Sequence, residues 1–140
     1  MTAFALASIV VPLIDQAVKR LVTARLRALP LSLGPFGDIR VVPSHIWIMR
    51  GGRVPGRRLM WVVWVIAAVA LAVSSARAPR FGVWFGLMTG GALSHALETS
   101  WRGSIVDYIR LRFWPAFDLA DVALVIGAAA SAILVVASIA

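Results

Sequence analysis

The chain has 140 residues, 61% of them hydrophobic, and a mean hydropathy of +0.90, far above an ordinary soluble domain. It holds no cysteine, which excludes disulfides and thiolate metal sites, and its two histidines, His45 and His95, stand fifty positions apart, which argues against a histidine-rich metal site. A net charge of +8 on so apolar a chain points to basic flanks at anionic lipid headgroups, not to nucleic acid.

The first predicted element, about residues 3–22, opens with AFALASIVVPLI and turns polar at Asp15, Gln16, Lys19 and Arg20. About 20 residues at about 1.5 Å each cross a hydrocarbon core, so this reads as a transmembrane helix with Pro12 as a kink point. Asp15 and Lys19 stand i, i+4 on one face, acid before base. They either neutralise the helix near the interface or help shape a site. No positive stretch precedes the apolar run and no small-x-small pattern follows it, so no removable signal peptide is expected.

From residue 23 to 58 the chain holds four of its seven prolines and five of its eleven glycines. The stretch 38–49, DIRVVPSHIWIM, is rich in β-branched and aromatic residues that favour strand, while Pro43 argues against a central one. A small β-rich insert over about residues 30–58, outside the bilayer core and partly interfacial, is expected. Trp47 suits the membrane–water boundary. Arg50, Arg53, Arg57 and Arg58 either meet lipid phosphates or form a solvated loop with helix-end anchors.

A second helix is predicted over 59–76, without a charge, and a third over 81–97 after a turn at Pro79. In the third, Gly82, Gly86, Gly90 and Ser94 recur every four residues, a small-residue stripe that lets another helix approach closely. His95 and Glu98 continue that face. A connection over 99–105 leads to IVDYIRLRFWPAFDLADVALVI and a fourth helix, 119–140, whose only ionisable residue is Asp121. The fold expected is an all-α integral membrane protein, one membrane domain over 1–140, with four transmembrane helices and the β-rich insert between the first two. Four crossings bring Asp15, Lys19, the insert, His95, Glu98, Asp107 and Asp121 to one membrane side.

Asp107 and Asp121 stand fourteen positions apart around the aromatic turn Phe113-Trp114-Pro115-Ala116-Phe117. A carboxylate in a bilayer costs about 2.5–3.5 kcal/mol on insertion scales, so such acids point to function. Two of them form a candidate paired-carboxylate site, which needs neither metal nor cofactor. Nine of the fourteen Lys and Arg lie between residues 19 and 58, three more over 102–112, and only Arg77 and Arg80 in the turn between helices two and three. By the positive-inside rule alone the polar side would face the cytoplasm.

The run from Gly90 to Gly127 resembles the C-terminal signature of the lipoprotein signal peptidases (signal peptidase II). That family's pattern is close to GGALGNLIDR, then G-x-VVDF, then W-P-x-F-N-x-A-D. Gly90-Gly91-Ala92-Leu93, Arg102-Gly103, Ile105-Val106-Asp107-Tyr108, Trp114-Pro115-Ala116-Phe117 and Ala120-Asp121 match it, as do Asp15-Gln16 and Lys19 to a DQxxK run in the first helix. The resemblance implies an aspartic endopeptidase of the bacterial inner membrane that cuts prolipoproteins before a diacylglyceryl-modified cysteine. It implies Asp107 and Asp121 as the catalytic dyad and a β-cradle on the extracytoplasmic face. A monomer among membrane lipids is expected. The departures are Ser94-His95 for Gly-Asn, Glu98-Thr99 for Asp-Arg, Ser44 or His45 near an expected asparagine, and Asp118 for the asparagine of F-N-x-A-D. Asp118 is either an N-cap of the fourth helix or a third acid that raises its neighbours' pKa. Asp15, Lys19, Ser44, His45, His95, Glu98, Arg102 and Asp118 are the expected substrate-binding or supporting residues. Two alternatives stay open: an inactive or weak relative that binds lipidated or signal-helix partners, and a small proton- or ion-handling protein.

Overall fold

The structure, a computed structural model, describes residues 1–26, 30–44 and 56–139. His45, Trp47, Arg50 and Arg53 lie outside the described residues, as does the expectation of strand over 45–49. The elements in order are α1 (Thr2–Leu26), β1 (Leu31–Ser32), β2 (Gly37–Ser44), α2 (Gly56–Arg77), α3 (Gly82–Arg102), β3 (Ile105–Leu111) and α4 (Leu119–Ile139).

Helices α1, α2 and α4 are each long and apolar enough to cross a membrane. Helix α3 falls outside that group because its glycines, Thr89, Ser94, His95, Glu98 and Thr99 dilute its hydropathy. Its position accounts for this composition. Helix α3 is central, with α1, α2 and α4 all packed against it, so its polar groups face protein. Close approach is built in. A Cβ on Gly86 would stand 2.6 Å from the Phe4 carbonyl oxygen of α1, and one on Gly91 would stand 2.6 Å from the Ala120 carbonyl oxygen of α4. Helix α2 is pinned to α3 by two indoles: Trp61 Nε1 donates to Ser100 Oγ at 2.8 Å, and Trp64 Nε1 to the Thr89 carbonyl at 3.2 Å.

The distribution of polarity is inverted relative to a soluble protein. The largest fully buried side chains include Lys19, Glu98, Asp15 and Asp118, whereas Ile9, Leu13, Val62, Ile66, Val69, Val125, Ile133 and Val136 are exposed along the helices. Apolar side chains can stay outside only where the surroundings are themselves apolar, as hydrocarbon is.

The β structure differs from expectation in where its third strand comes from. The sheet is antiparallel in the order β1-β2-β3, and β3 is the stretch that carries Asp107, beyond α3. The expected connection over 99–105 is corrected accordingly. Helix α3 runs on to Arg102 and ends at Gly103, whose φ of 71° lets its amide bond back to Thr99, and β3 starts at Ile105. Short strands become legible only with their partners: β3 is held by β2, with Val42 opposite Asp107, Pro43 opposite Val106 and Ser44 opposite Ile105. Pro43 sits in the middle strand after all. Strand β1 pairs only with Asp38 and Ile39, so among the described residues β2 has a single partner strand at Pro43, the edge-like position at which proline is tolerated.

Candidate active site

Asp107 and Asp121 are brought together by the backbone of the aromatic turn. After β3 the chain loops through Phe113-Trp114-Pro115 and returns at Phe117, whose carbonyl accepts from the amides of Tyr108 (3.2 Å) and Ile109 (2.9 Å) and whose amide donates to the Ile109 carbonyl (3.0 Å). Residue 118 is thereby delivered beside β3, and α4 starts at the next position. Tyr108 tightens the junction, its phenol oxygen accepting from the Leu119 amide at 3.3 Å.

Asp118 is the N-cap of α4. Its Oδ1 accepts from the Asp121 amide at 2.8 Å, and Asp121 Oδ2 accepts from the Asp118 amide at 3.2 Å. This is a capping box written with two aspartates. Capping fixes one oxygen of Asp121, and its side chain stays 38% exposed. Asp107 is buried, at 8%. Burial pushes the Asp107 carboxyl up to about 6, and the negative charges of Asp118 and Asp121 add to the rise, against the pull of Lys19 and His95. Asp118 goes the other way. Burial alone would raise it, but the hydrogen bond and charge of His95 and the Lys19 ammonium hold it at about 2.

Beneath these acids lies a buried ionic cluster. Lys19 Nζ contacts Asp15 Oδ2 at 3.0 Å, Glu98 Oε2 at 2.6 Å and Asp118 Oδ2, and all four side chains are fully buried. Arg102 closes on Glu98 Oε1 at 3.2 Å. Of the two readings of Asp15 and Lys19, neutralising pair or site former, the geometry joins both. The pair is internally neutralised, and Lys19 ties α1 to α3 and to the cap of α4. Ser94 Oγ donates to Asp15 Oδ2 at 2.6 Å and accepts from Gln16 Nε2 at 2.9 Å.

His95 Nε2 stands 3.2 Å from both Asp118 oxygens and 3.6 Å from Asp121 Oδ1. His95, Asp118 and Asp121 therefore offer ligand atoms within 4.8 Å of one another. Asp118 already has the Lys19 ammonium as a counterion. The structure thus gathers Asp15, Lys19, His95, Glu98, Arg102, Asp107, Asp118 and Asp121 at one end of the bundle. Ser44 is placed at the end of β2, opposite Ile105; His45 is outside the described residues. Gln16, Ser94 and Tyr108 were not among the candidate residues. Gln16 was signalled by its place beside Asp15, whereas the contacts of Ser94 and Tyr108 follow only from how α1, α3 and α4 meet.

The family model described as Signal peptidase (SPase) II matches residues 7–138. The lipoprotein signal peptidase of Halothermothrix orenii is 29% identical over 133 residues, covering 86% of this chain and 86% of its own. That of Pelotomaculum thermopropionicum is 33% identical over 131 residues, covering 85% of this chain and 82% of its own. Two solved bacterial membrane enzymes share the fold at 20% identity, with TM-scores of 0.82 and 0.81, covering 100% and 96% of this chain and 91% and 93% of theirs. A match that runs from the first helix through the last takes in every part of the cluster, and the chain belongs to the signal peptidase II family.

Proposed function

We propose that the chain is an aspartic endopeptidase of the bacterial inner membrane that removes the signal peptide of prolipoproteins before a diacylglyceryl-modified cysteine. The observation that supports this reading is the return of the chain at Phe117 against β3, which brings the start of α4 to the strand that carries Asp107. The two are near enough for the Asp121 charge to act on the Asp107 carboxyl, with Asp107 buried and Asp121 more open. Close carboxylates do not both ionise cheaply, and they share a proton. Asp107, pushed up to about 6, suits the protonated role and would hydrogen-bond the scissile carbonyl oxygen. Asp121, more exposed, would take a proton from a water whose oxygen attacks the carbonyl carbon. Collapse of the tetrahedral species breaks the C–N bond as the departing nitrogen receives a proton from the dyad. Asp15, Lys19, Glu98, Arg102 and the cap hold the two acids in place. Ser44 and His45 are taken as substrate contacts by the family resemblance.

All four helices cross the bilayer in this reading, as one membrane domain, with α3 shielded from lipid by its neighbours and with the site on the extracytoplasmic face. The exposed Phe113 and Trp114 fit the headgroup boundary there.

A second reading, a relative that binds lipidated or signal-helix partners without cutting them, draws on Asp121. One of its oxygens already accepts the Asp118 amide and the other faces His95. One assay separates the two. Purified protein is given a diacylglyceryl-modified prolipoprotein and the fragments are weighed. Cleavage before the modified cysteine that falls by about 100-fold or more in both Asp107→Asn and Asp121→Asn supports the peptidase. Binding of the same substrate without turnover by well-folded protein supports the second reading.

A further inference from the structure

We propose that His95 and Asp118 act as one unit that positions the Asp121 carboxylate and sets a titrating imidazole beside it, in place of the two neutral asparagines at the matching positions of the family pattern. The inference rests on the reading of Asp121 as half of the catalytic pair.

The two departures are 23 positions apart on different elements, yet their side chains meet, His95 Nε2 lying 3.2 Å from each Asp118 oxygen. Asp118 is fully buried and anchored by Lys19, so it is a fixed platform. It holds the Asp121 amide on one side and the imidazole on the other. The imidazole then lies 3.6 Å from the Asp121 oxygen that the cap leaves free. Changing asparagine to aspartate here adds a buried negative charge next to the dyad. Three carboxylates, Asp15, Glu98 and Asp118, face two fixed cations, Lys19 and Arg102. Among the described residues, His95 is the further group in contact with Asp118 that can carry positive charge. Each replacement answers the other, and neither is a free-standing change.

A carboxylate only accepts, so Nε2 carries the hydrogen that points at Asp118. That hydrogen is present in the imidazolium and in the Nε2–H neutral tautomer alike. Rising pH therefore removes the charge beside Asp121 and leaves the hydrogen bond. The charged groups that act on His95 are Lys19 from α1, Asp107 from β3, and Asp118 and Asp121 at the start of α4, with Asp15, Glu98 and Arg102 joined to it through Lys19. From α2, the hydrogen bonds to α3 come from the indoles of Trp61 and Trp64.

The test is a double-mutant cycle on kcat for cleavage of a diacylglyceryl-modified prolipoprotein, with His95→Asn, Asp118→Asn and both together. Each single substitution should slow cleavage. The pair together should be about ten-fold faster than the product of the single effects predicts, because it restores a neutral, mutually bonded arrangement. Beside the limb that Asp107 gives near pH 6, the wild-type kcat should show a second ionisation between about pH 5 and 8 that the double variant lacks. Multiplicative effects, or an unchanged pH profile, would overturn the proposal. If Asp118→Asn does not fold, because Lys19 loses an acceptor, His95→Asn against His95→Gln decides. Glutamine reaches Asp118 without titrating, so it should restore rate but not the second ionisation, and a second ionisation kept in both variants would sink the idea. Asp107→Asn and Asp121→Asn run alongside. If these still cleave, the dyad reading falls while the cycle remains readable. If they are dead and the cycle is multiplicative, only the paired-unit proposal falls.

Discussion

Buried carboxylates keep their charge where a cation or a set of donors replaces water, and lose it where neighbouring acids crowd them. Asp118 has Lys19, His95 and the Asp121 amide; Asp107 has Asp118 and Asp121 for company. The two acids therefore bend the stability curve in opposite senses. Asp107 is protonated in the fold where the unfolded chain has released its proton, so its contribution falls as pH rises from about 3.8 to about 6 and is level above that. Asp118 is ionised in the fold where the unfolded chain is protonated, so its contribution is present above about 3.8 and is lost as pH falls towards about 2. Thermal unfolding in detergent across this range should show Asp107→Asn gaining on wild type between pH 4 and 6, by on the order of 2 kcal/mol. Asp118→Asn should lack the wild-type fall below pH 4. Parallel curves for either variant would mean that its carboxyl titrates as it does in water.

At the scale of elements, α3 is the surface on which the other helices are placed, and glycines set the distances. Gly86 and Gly91 admit α1 and α4 on different sides of α3, with backbone carbonyls where a Cβ would go. Overpacking at such points costs about 1–3 kcal/mol. The two sites differ in what moves. Gly91→Val presses on Ala120, the neighbour of Asp121, whereas Gly86→Val presses on Phe4 and Ala7, near the far end of α1. Both variants should lose thermal stability to a similar degree. Only Gly91→Val should lose cleavage by about ten-fold or more beyond what its folded fraction explains. Equal activity in the two would mean that the placement of α4 against α3 does not govern the acids.

At the scale of the whole molecule, the cluster lies at one end and the α2–α3 turn at the other, where Arg80 donates to Ser138 Oγ at 2.8 Å. Among the described residues the basic ones are concentrated at the cluster end, against the positive-inside rule for an extracytoplasmic site. Several of them are spoken for by carboxylates: Lys19 by Asp15, Glu98 and Asp118, Arg102 by Glu98, and Arg40 by Asp38. The chain has no cysteine, so single cysteines report its sidedness without background. In intact spheroplasts Arg112→Cys should react with a membrane-impermeant maleimide, and Arg80→Cys only after permeabilisation. The reverse pattern would place the site in the cytoplasm and remove the prolipoprotein reading with it.

The helices were legible in the sequence, because long apolar runs are local signals. Hydropathy located α1, α2 and α4, and the every-fourth small residue of α3 marked its packing stripe. Asp107 and Asp121 were singled out as candidates by the cost of putting charge in a bilayer and by the motifs around them. Strand β3 was not legible, since seven residues gain their extended form from β2, 61 to 74 positions earlier in the chain. The meeting of His95 with Asp118 and of Lys19 with Glu98 was also beyond the sequence, which showed each residue but not its partner. Hydropathy and charge belong to the residue itself and survive in an isolated segment. Burial, capping and pairing belong to two elements at once, and they exist only after α1, α3 and α4 have closed around the same few ångströms.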